Sequence, residues 1–187
     1  MTRAARLACT CVNRINRFAG DERGVSAVEF AMVLPLMLTL YLGSIEMSQG
    51  IAADRKVTLT ARTVADLVSQ TTSISNLEMN NSLSAATAVM APYPTAHLKL
   101  TVTSVKIDAD GKATVAWSDS LNGSARAKGS SVTLPAALNV PSTSLIWSEV
   151  QYAYTPTIGY ILSGTVTLKD HIYMRPRLSD EVKRTAS

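Results

Sequence analysis

An apolar run near the N-terminus constrains this sequence more than any other feature. From Gly24 to Ile45 the chain reads GVSAVEFAMVLPLMLTLYLGSI, which is 22 residues with one charge, Glu29. A bilayer hydrocarbon core about 30 Å thick is crossed by roughly 20 residues of α-helix. The run therefore predicts a single transmembrane helix, which we place at residues 25–45.

The charges on either side of this run predict its orientation. The first 24 residues carry five Arg against Asp21 and Glu22, so they hold +3 of the total net charge of +4. Basic flanks stay in the cytoplasm. We therefore expect a basic cytoplasmic leader at residues 1–24 and an exported C-terminal part. A cleaved secretory signal fits less well, because the run starts late, exceeds a typical apolar region of such signals and contains a carboxylate.

The rest of the composition disfavours several classes of function. The leader holds five of the 18 basic residues and two of the 14 acidic residues. The remaining 13 basic and 12 acidic residues form no basic stripe for binding nucleic acid. Cys9 and Cys11 both lie in the leader, and their C-T-C spacing is wrong for the usual redox or zinc motif. His97 and His171 are expected to be exposed on strands. We find no catalytic motif, so we expect no catalytic residue, no metal and no cofactor.

Glu29 is the unusual residue of the apolar run. A carboxylate costs roughly 2.5 kcal/mol or more at mid-bilayer and less near an interface. It therefore either faces the headgroups or has a function in the membrane, and the residues alone leave both readings open. Pro35, also inside the run, predicts a helix kink of the kind that membrane helices tolerate.

The segment around Glu29 resembles a known pattern. The string GVSAVEF at residues 24–30 is similar to the class III prepilin leader, which is cleaved after Gly and has Glu at the fifth mature position. The longer string AVEFAMVLPLMLTLYLGSIE, preceded by RFAGDERG, resembles the TadE/TadG-like family of pseudopilins and minor pilins of the tight-adherence (Flp) pilus. The resemblance covers roughly residues 17–50, and YMRPR at 173–177 resembles the C-terminal RPR of that family.

The resemblance implies a function for four residues of this string. A prepilin peptidase would cleave between Gly24 and Val25 and leave a new ammonium group on Val25. Glu29 would then neutralise that group on a neighbouring subunit, with Phe30 beside it, and so set the register of the assembled helices. The implied partners are the peptidase, other pilin or pseudopilin subunits, inner-membrane assembly proteins and the lipid bilayer.

Two functions are therefore weighed against each other, with an anchored envelope enzyme as a third that no motif supports. The first is a TadE-like pseudopilin or minor pilin that takes part in assembly of the pilus. The second is an unprocessed, single-pass membrane-anchored binding module of the pilus or envelope secretion machinery. Both imply a bacterial inner membrane, a cytoplasmic N-terminus and a C-terminal domain in the periplasm or in a pilus. The state of the leader separates them.

Periodicity predicts two helices. Val57, Ala61, Val64 and Val68 share one helical face, so the membrane helix should continue as an amphipathic stalk over residues 46–69. A capping box at Ser75–Glu78 opens a second helix that ends before Pro92 and Pro94. Its apolar side is expected to hold Leu77, Leu83, Val89 and Met90.

The remainder predicts strands. Residues 97–107 alternate with a slip after Thr103, and an Asp110-Gly111 turn leads to a second strand at 113–117. A loop at 119–135 and strands at 144–154 and 165–173 follow. We expect an α+β, pilin-like fold: a long transmembrane-plus-stalk helix, a second helix and a small antiparallel sheet in a head at 70–178. Residues 179–187 are expected to form a charged, frayed tail.

Overall fold

A computed structural model describes residues 22–156, 158–159 and 163–185. The chain divides into two compact units, Met1–Ile45 and Glu46–Ser187. Cys9, Cys11 and most of the predicted leader lie outside the described residues. The elements in chain order are α1 (Glu22–Ser69), β1 (Ser73–Ile74), α2 (Asn76–Val89), β2 (Leu98–Ile107), β3 (Ala113–Leu121), β4 (Ser144–Tyr154), β5 (Val166–Met174) and β6 (Lys183–Arg184).

Helix α1 is 48 residues long and ends at Ser69, as the periodicity predicts. Within the second unit one stripe of the helix is fully buried: Ala53, Val57, Ala61, Val64 and Val68 are each 0% exposed. Their spacing of three or four residues keeps them on one face. Small and β-branched side chains at these positions let the helix pack closely on the sheet.

Helix α2 begins with the predicted capping box. The Ser75 hydroxyl accepts a hydrogen bond from the Glu78 N–H at 3.3 Å, and the Glu78 carboxylate accepts one from the Ser75 N–H at 2.8 Å. These bonds hold the pKa of Glu78 below its ordinary value. The prediction for Leu77 is wrong, because this side chain is 68% exposed. It lies six positions from the buried Leu83, a rotation of about 600°, which puts the two on different faces.

Strands β2 to β5 form one antiparallel sheet in the order β3-β2-β4-β5, which confirms the α+β prediction. The predicted slip is a register shift between Ser104 and Val105. Gly111 takes a positive φ of 78° in the turn, where the Asp108 carboxylate accepts backbone N–H bonds from Asp110 and Lys112. Strand β3 runs to Leu121, so the loop starts later than the predicted position 119.

The main core lies between one face of the sheet and the two helices. Buried side chains of the sheet face are Leu98, Leu100, Val102, Trp117, Ile146, Val150, Tyr152 and Tyr154, and those of α2 and its end are Met79, Leu83, Ala86 and Met90. A smaller cluster covers one end of the opposite face, where Val105 and Leu145 pack against Val132, Leu134 and Leu138 of the β3–β4 connection. The sheet is thus covered completely on one face and partly on the other.

The C-terminal segment forms a short strand and buries Val182, so the expectation that it frays from Leu178 is wrong. Strand β6 pairs with β1 in parallel. Val182 is 1% exposed, and its carbonyl accepts a hydrogen bond of 2.7 Å from the Trp117 indole N–H. Arg184 pairs with Asp119 at 2.9 Å. We call residues 177–185 the C-terminal staple.

Candidate functional site

The predicted cleavage site lies on α1, close to the first described residue of this helix. Gly24 and Val25 are the third and fourth residues of the described helix, Glu22–Ser69. No atom lies within 4 Å of the position that a Gly24 Cβ would occupy, and Val25 is 57% exposed. Gly24 and Val25 are therefore exposed on the surface of the helix. Glycine also weakens a helix by about 1 kcal/mol relative to alanine.

Glu29 and Phe30 follow on the exposed surface of the same helix. Phe30 is 60% exposed, and Glu29 is exposed as well. Val25 and Glu29 are four residues apart, so they lie on the same side of α1 about one turn apart. The structure thus places the predicted new terminus and the predicted acid on one face.

The helix around them presents apolar side chains on every side. Exposed large apolar residues of the first unit are Val25, Val28, Phe30, Met32, Val33, Leu34, Leu36, Met37, Leu38, Leu40 and Tyr41. The segment has a mean hydropathy of 1.9, is long enough to cross a membrane and has none of its most apolar window buried. A helix that is apolar all round needs an apolar surrounding. It fits a single-pass membrane anchor.

Pro35 lies within this helix. Its missing N–H leaves the Ala31 carbonyl without the usual donor, while the Thr39 hydroxyl donates to the Pro35 carbonyl at 2.8 Å. The kink at Pro35 stays a prediction.

The second unit contains an open cavity of about 560 Å³ that we call the tyrosine cavity. Its lining residues are Gln49, Pro92, Tyr93, Pro94, His97, Tyr152, Ala153, Tyr154 and Thr155. The Tyr93 ring lies edge-on to Tyr152 and Tyr154, with ring centroids 6.2 Å and 6.3 Å apart. The Tyr93 hydroxyl donates to the Gln49 carbonyl at 3.3 Å.

Burial favours the neutral form of Tyr152 and Tyr154. It is the main cause that raises the pKa of Tyr152 and of Tyr154, and the neighbouring Tyr93 raises both further. The Glu46 carboxylate adds to the rise at Tyr154. The raised pKa values favour neutral hydroxyl groups on Tyr152 and Tyr154 over ionised ones.

A polar cluster around Arg126 lies on the face of the sheet opposite the main core. The Arg126 guanidinium lies 3.9 Å from the ring centre of Trp147, which stacks on Tyr173 across the strands at 5.4 Å. Arg126 also pairs with Glu149 and donates to the Thr103 hydroxyl at 3.4 Å. These contacts hold the β3–β4 connection against the sheet. The Glu149 carboxylate neutralises the charge of the Arg126 guanidinium.

The described residues show no obvious centre for metal chemistry. Within residues 22–156, 158–159 and 163–185, no group of three or more His, Cys, Asp or Glu side chains could hold a metal ion. His97 lies in a short 3₁₀ turn rather than in the predicted strand, and His171 lies on β5. Both are exposed, as expected.

Sequence reasoning missed the tyrosine cavity. Tyr152 and Tyr154 are two residues apart in a strand, so they share a face of the sheet. Their spacing in the sequence was therefore sufficient to predict that two tyrosines lie on one face. Tyr93 comes from the segment after α2, almost 60 residues earlier in the chain. Only the tertiary fold brings it to the other two.

Comparison with known proteins gives one match. The family model described as TadE-like protein matches residues 24–66. No curated protein and no solved structure matches the chain. The matched segment holds Gly24, Val25, Glu29 and Phe30 and most of α1. The N-terminal helix of this chain is therefore TadE-like over residues 24–66, and this match supports a protein associated with the Tad pilus.

Proposed function

We propose that this chain is a TadE-like pseudopilin or minor pilin that takes part in assembly of a tight-adherence (Flp) pilus after a prepilin peptidase removes residues 1–24. The observation that carries the proposal is the placement of Glu29 one turn beyond Val25 on an exposed, apolar helix. The family match over residues 24–66 also supports it. In this proposal the leader is cytoplasmic and the second unit is exported from a bacterial inner membrane.

Cleavage changes the electrostatics of the helix end. It removes five Arg and leaves an ammonium group on Val25, within an apolar segment. An isolated ammonium and an isolated carboxylate are each costly in lipid, so the two groups attract strongly when they meet there. The Val25 ammonium of one subunit therefore pairs with Glu29 of a neighbour.

The spacing of these residues also sets a geometry for assembly. Four residues of α-helix rise about 6 Å. A helix that places its Val25 beside Glu29 of a parallel neighbour is therefore displaced along the axis by about one turn. The exposed side chains of Phe30 and the residues around it then pack against that neighbour or the surrounding lipid.

The first experiment determines whether residues 1–24 are removed. The full-length protein is expressed with and without its prepilin peptidase, extracted from membranes and analysed by intact mass and N-terminal sequencing. We expect a peptidase-dependent start at Val25, and Gly24→Val should block it because a branched side chain obstructs a tight protease cleft. A full-length chain under both conditions would favour the unprocessed anchored binding module.

The second experiment tests Glu29. We expect Glu29→Gln to be inserted and cleaved normally but to co-assemble poorly with other pilus subunits, measured by cross-linking and co-purification. Glu29→Asp keeps the charge and is the matched control, which should retain most of the assembly. Normal co-assembly of Glu29→Gln would refute the charge-pairing mechanism even if cleavage occurs.

A further inference from the structure

The face of the sheet opposite the main core carries two lysines that share one row. Lys99 pairs with Gln151 across β2 and β4, and Gln151 pairs with Lys169 across β4 and β5. Residues directly opposite each other in an antiparallel sheet lie on the same face. All three side chains are exposed, and we call them the lysine row. Neighbouring strands lie about 4.8 Å apart, so the Cα atoms of the two lysines are about 10 Å apart.

Both lysines of the row lack an ionic partner. Among the residues that the structure describes, the ion pairs are Lys106–Glu181, Arg126–Glu149, Arg177–Asp66 and Arg184–Asp119. Neither Lys99 nor Lys169 belongs to one of them. The two ammonium groups are therefore positive charges on a sheet face that no carboxylate of this unit neutralises directly.

A small cavity of about 280 Å³ lies beside Lys99. One wall is the loop after β3, which approaches the sheet so closely that a Cβ on Gly123 would lie 2.7 Å from Ser120 Oγ. The Asn122 side chain holds this loop, since its amide donates to the Leu98 carbonyl at 3.0 Å. The cavity is therefore formed by fixed backbone. Its other lining residues are Lys99, Thr101, Ser124, Arg126, Glu149 and Gln151.

Hydrogen-bond donors dominate this lining. The Lys99 ammonium and the Arg126 guanidinium can only donate, and the Ser124 hydroxyl can donate as well. Glu149 is the one carboxylate among the lining residues, and it already pairs with Arg126. Lys99 thus remains as the uncompensated charge of the cavity. An ionised carboxylate fits this environment, because it is anionic and only accepts hydrogen bonds.

The spacing of the row favours a short acidic segment as the ligand. In an extended polyproline II chain, residues i and i+3 lie on one side and about 9 Å apart, close to the separation of the two lysines. A densely charged polymer fits poorly, because acids adjoin both cations. Glu149 lies in the cavity beside Lys99, and Asp170 follows Lys169 in the chain. Two carboxylates on one peptide therefore match this surface better than a long polyanion does.

We propose that the lysine row and its cavity bind an acidic peptide segment of a partner protein. One carboxylate of the segment accepts hydrogen bonds from the Lys99 ammonium and the Ser124 hydroxyl in the cavity. A second carboxylate pairs with Lys169, and the Gln151 amide donates to the segment between them. This inference concerns the second unit alone, so it depends neither on removal of residues 1–24 nor on the pairing of Glu29.

The test uses the full-length protein in uncharged detergent micelles and a synthetic hexaglutamate peptide with blocked ends. A carbodiimide joins a peptide carboxylate to a lysine amine only where the two are in contact, and peptide mapping by mass spectrometry identifies the lysine. The leader contains arginine but no lysine, so its side chains do not react. We expect half-maximal cross-linking of Lys99 and Lys169 at a lower peptide concentration than that of the exposed Lys112 and Lys183.

Variants show whether the two lysines act as one site. Lys99→Gln should raise the peptide concentration for half-maximal cross-linking at Lys169 about threefold, the effect of one exposed ion pair. Lys99→Arg keeps the charge and should restore it. Lys112→Gln is the matched control, because it removes the same charge from the turn at the other end of β2, and it should leave the cross-linking at Lys169 unchanged.

Several results would overturn the proposal. They are equal cross-linking of all exposed lysines, unchanged cross-linking at Lys169 in Lys99→Gln, and an effect of the same size in Lys112→Gln. A polysaccharide ligand would be indicated instead if dextran sulfate protects Lys99 and Lys169 from modification while hexaglutamate does not cross-link to them. The mass of the same protein sample reports whether residues 1–24 are removed, so failure of peptide binding is distinguishable from failure of the proposed processing.

Discussion

Replacement of Arg184 by Met should strongly destabilise the second unit. Arg184 belongs to the C-terminal staple, where its guanidinium donates to Asp119 at 2.9 Å, to the Ile74 carbonyl at 3.0 Å and to Asn76 Oδ1 at 2.7 Å. It thereby connects the last strand to β3, β1 and the start of α2. Methionine keeps an apolar stem of similar length but donates no hydrogen bond.

The magnitude follows from these bonds and their exposure. A hydrogen bond to a charged group contributes about 1.5–3 kcal/mol, and removal of one partner also leaves the other without its donor. The side chains of Arg184 and Asp119 are 21% and 29% exposed, so solvent screens the pair in part and the bonds do not add fully. We expect a loss of about 2–4 kcal/mol in the free energy of unfolding, a large share of the roughly 5–15 kcal/mol of a typical domain.

Urea unfolding of the full-length protein in detergent micelles measures this loss. Trp117 fluorescence is a suitable signal, because its indole N–H bonds to the Val182 carbonyl within the staple. The matched control is Lys183→Met, since Lys183 is the exposed neighbour in the same strand and should change stability by less than about 0.5 kcal/mol. Equal stability of the Arg184 and Lys183 variants would refute the assignment of this side chain as a structural connection.

Three further outcomes are expected. Ser75→Ala removes the cap of α2 and should cost about 1 kcal/mol in urea unfolding. Ala61→Leu puts a larger side chain where α1 is 0% exposed and should cost about 1–3 kcal/mol, whereas Thr58→Leu on the exposed side should have little effect. Because burial raises the pKa of Tyr154, the free energy of unfolding should be constant below its unfolded pKa of about 10 and fall as the pH rises through the folded pKa. Tyr154→Phe should reduce that fall above about pH 10.

Local patterns were sufficient for the helices and for most strands. The apolar run, the stalk stripe through Ala61 and the capping box at Ser75–Glu78 depend on neighbours within a few residues, so the sequence predicts them directly. The β2–β3 hairpin follows for the same reason, since its alternation and Asp110-Gly111 turn are local. The candidate site at Gly24, Val25, Glu29 and Phe30 is likewise a short string, so the sequence shows it without the tertiary structure.

Long-range contacts decided the rest. Residues 178–185 carry enough charge to suggest a frayed end, yet Val182 is buried and Arg184 finds Asp119, 65 residues earlier. The tyrosine cavity likewise needs the segment after α2 and the end of β4 to meet. Such pairings depend on the sheet order β3-β2-β4-β5. Local sequence does not select this order, because strands with similar alternating patterns fit many other orders equally well. The sequence by itself thus determined the long apolar helix, its acid, the second helix and most strands, whereas only the tertiary packing decided how the C-terminus is held and where the cavity forms.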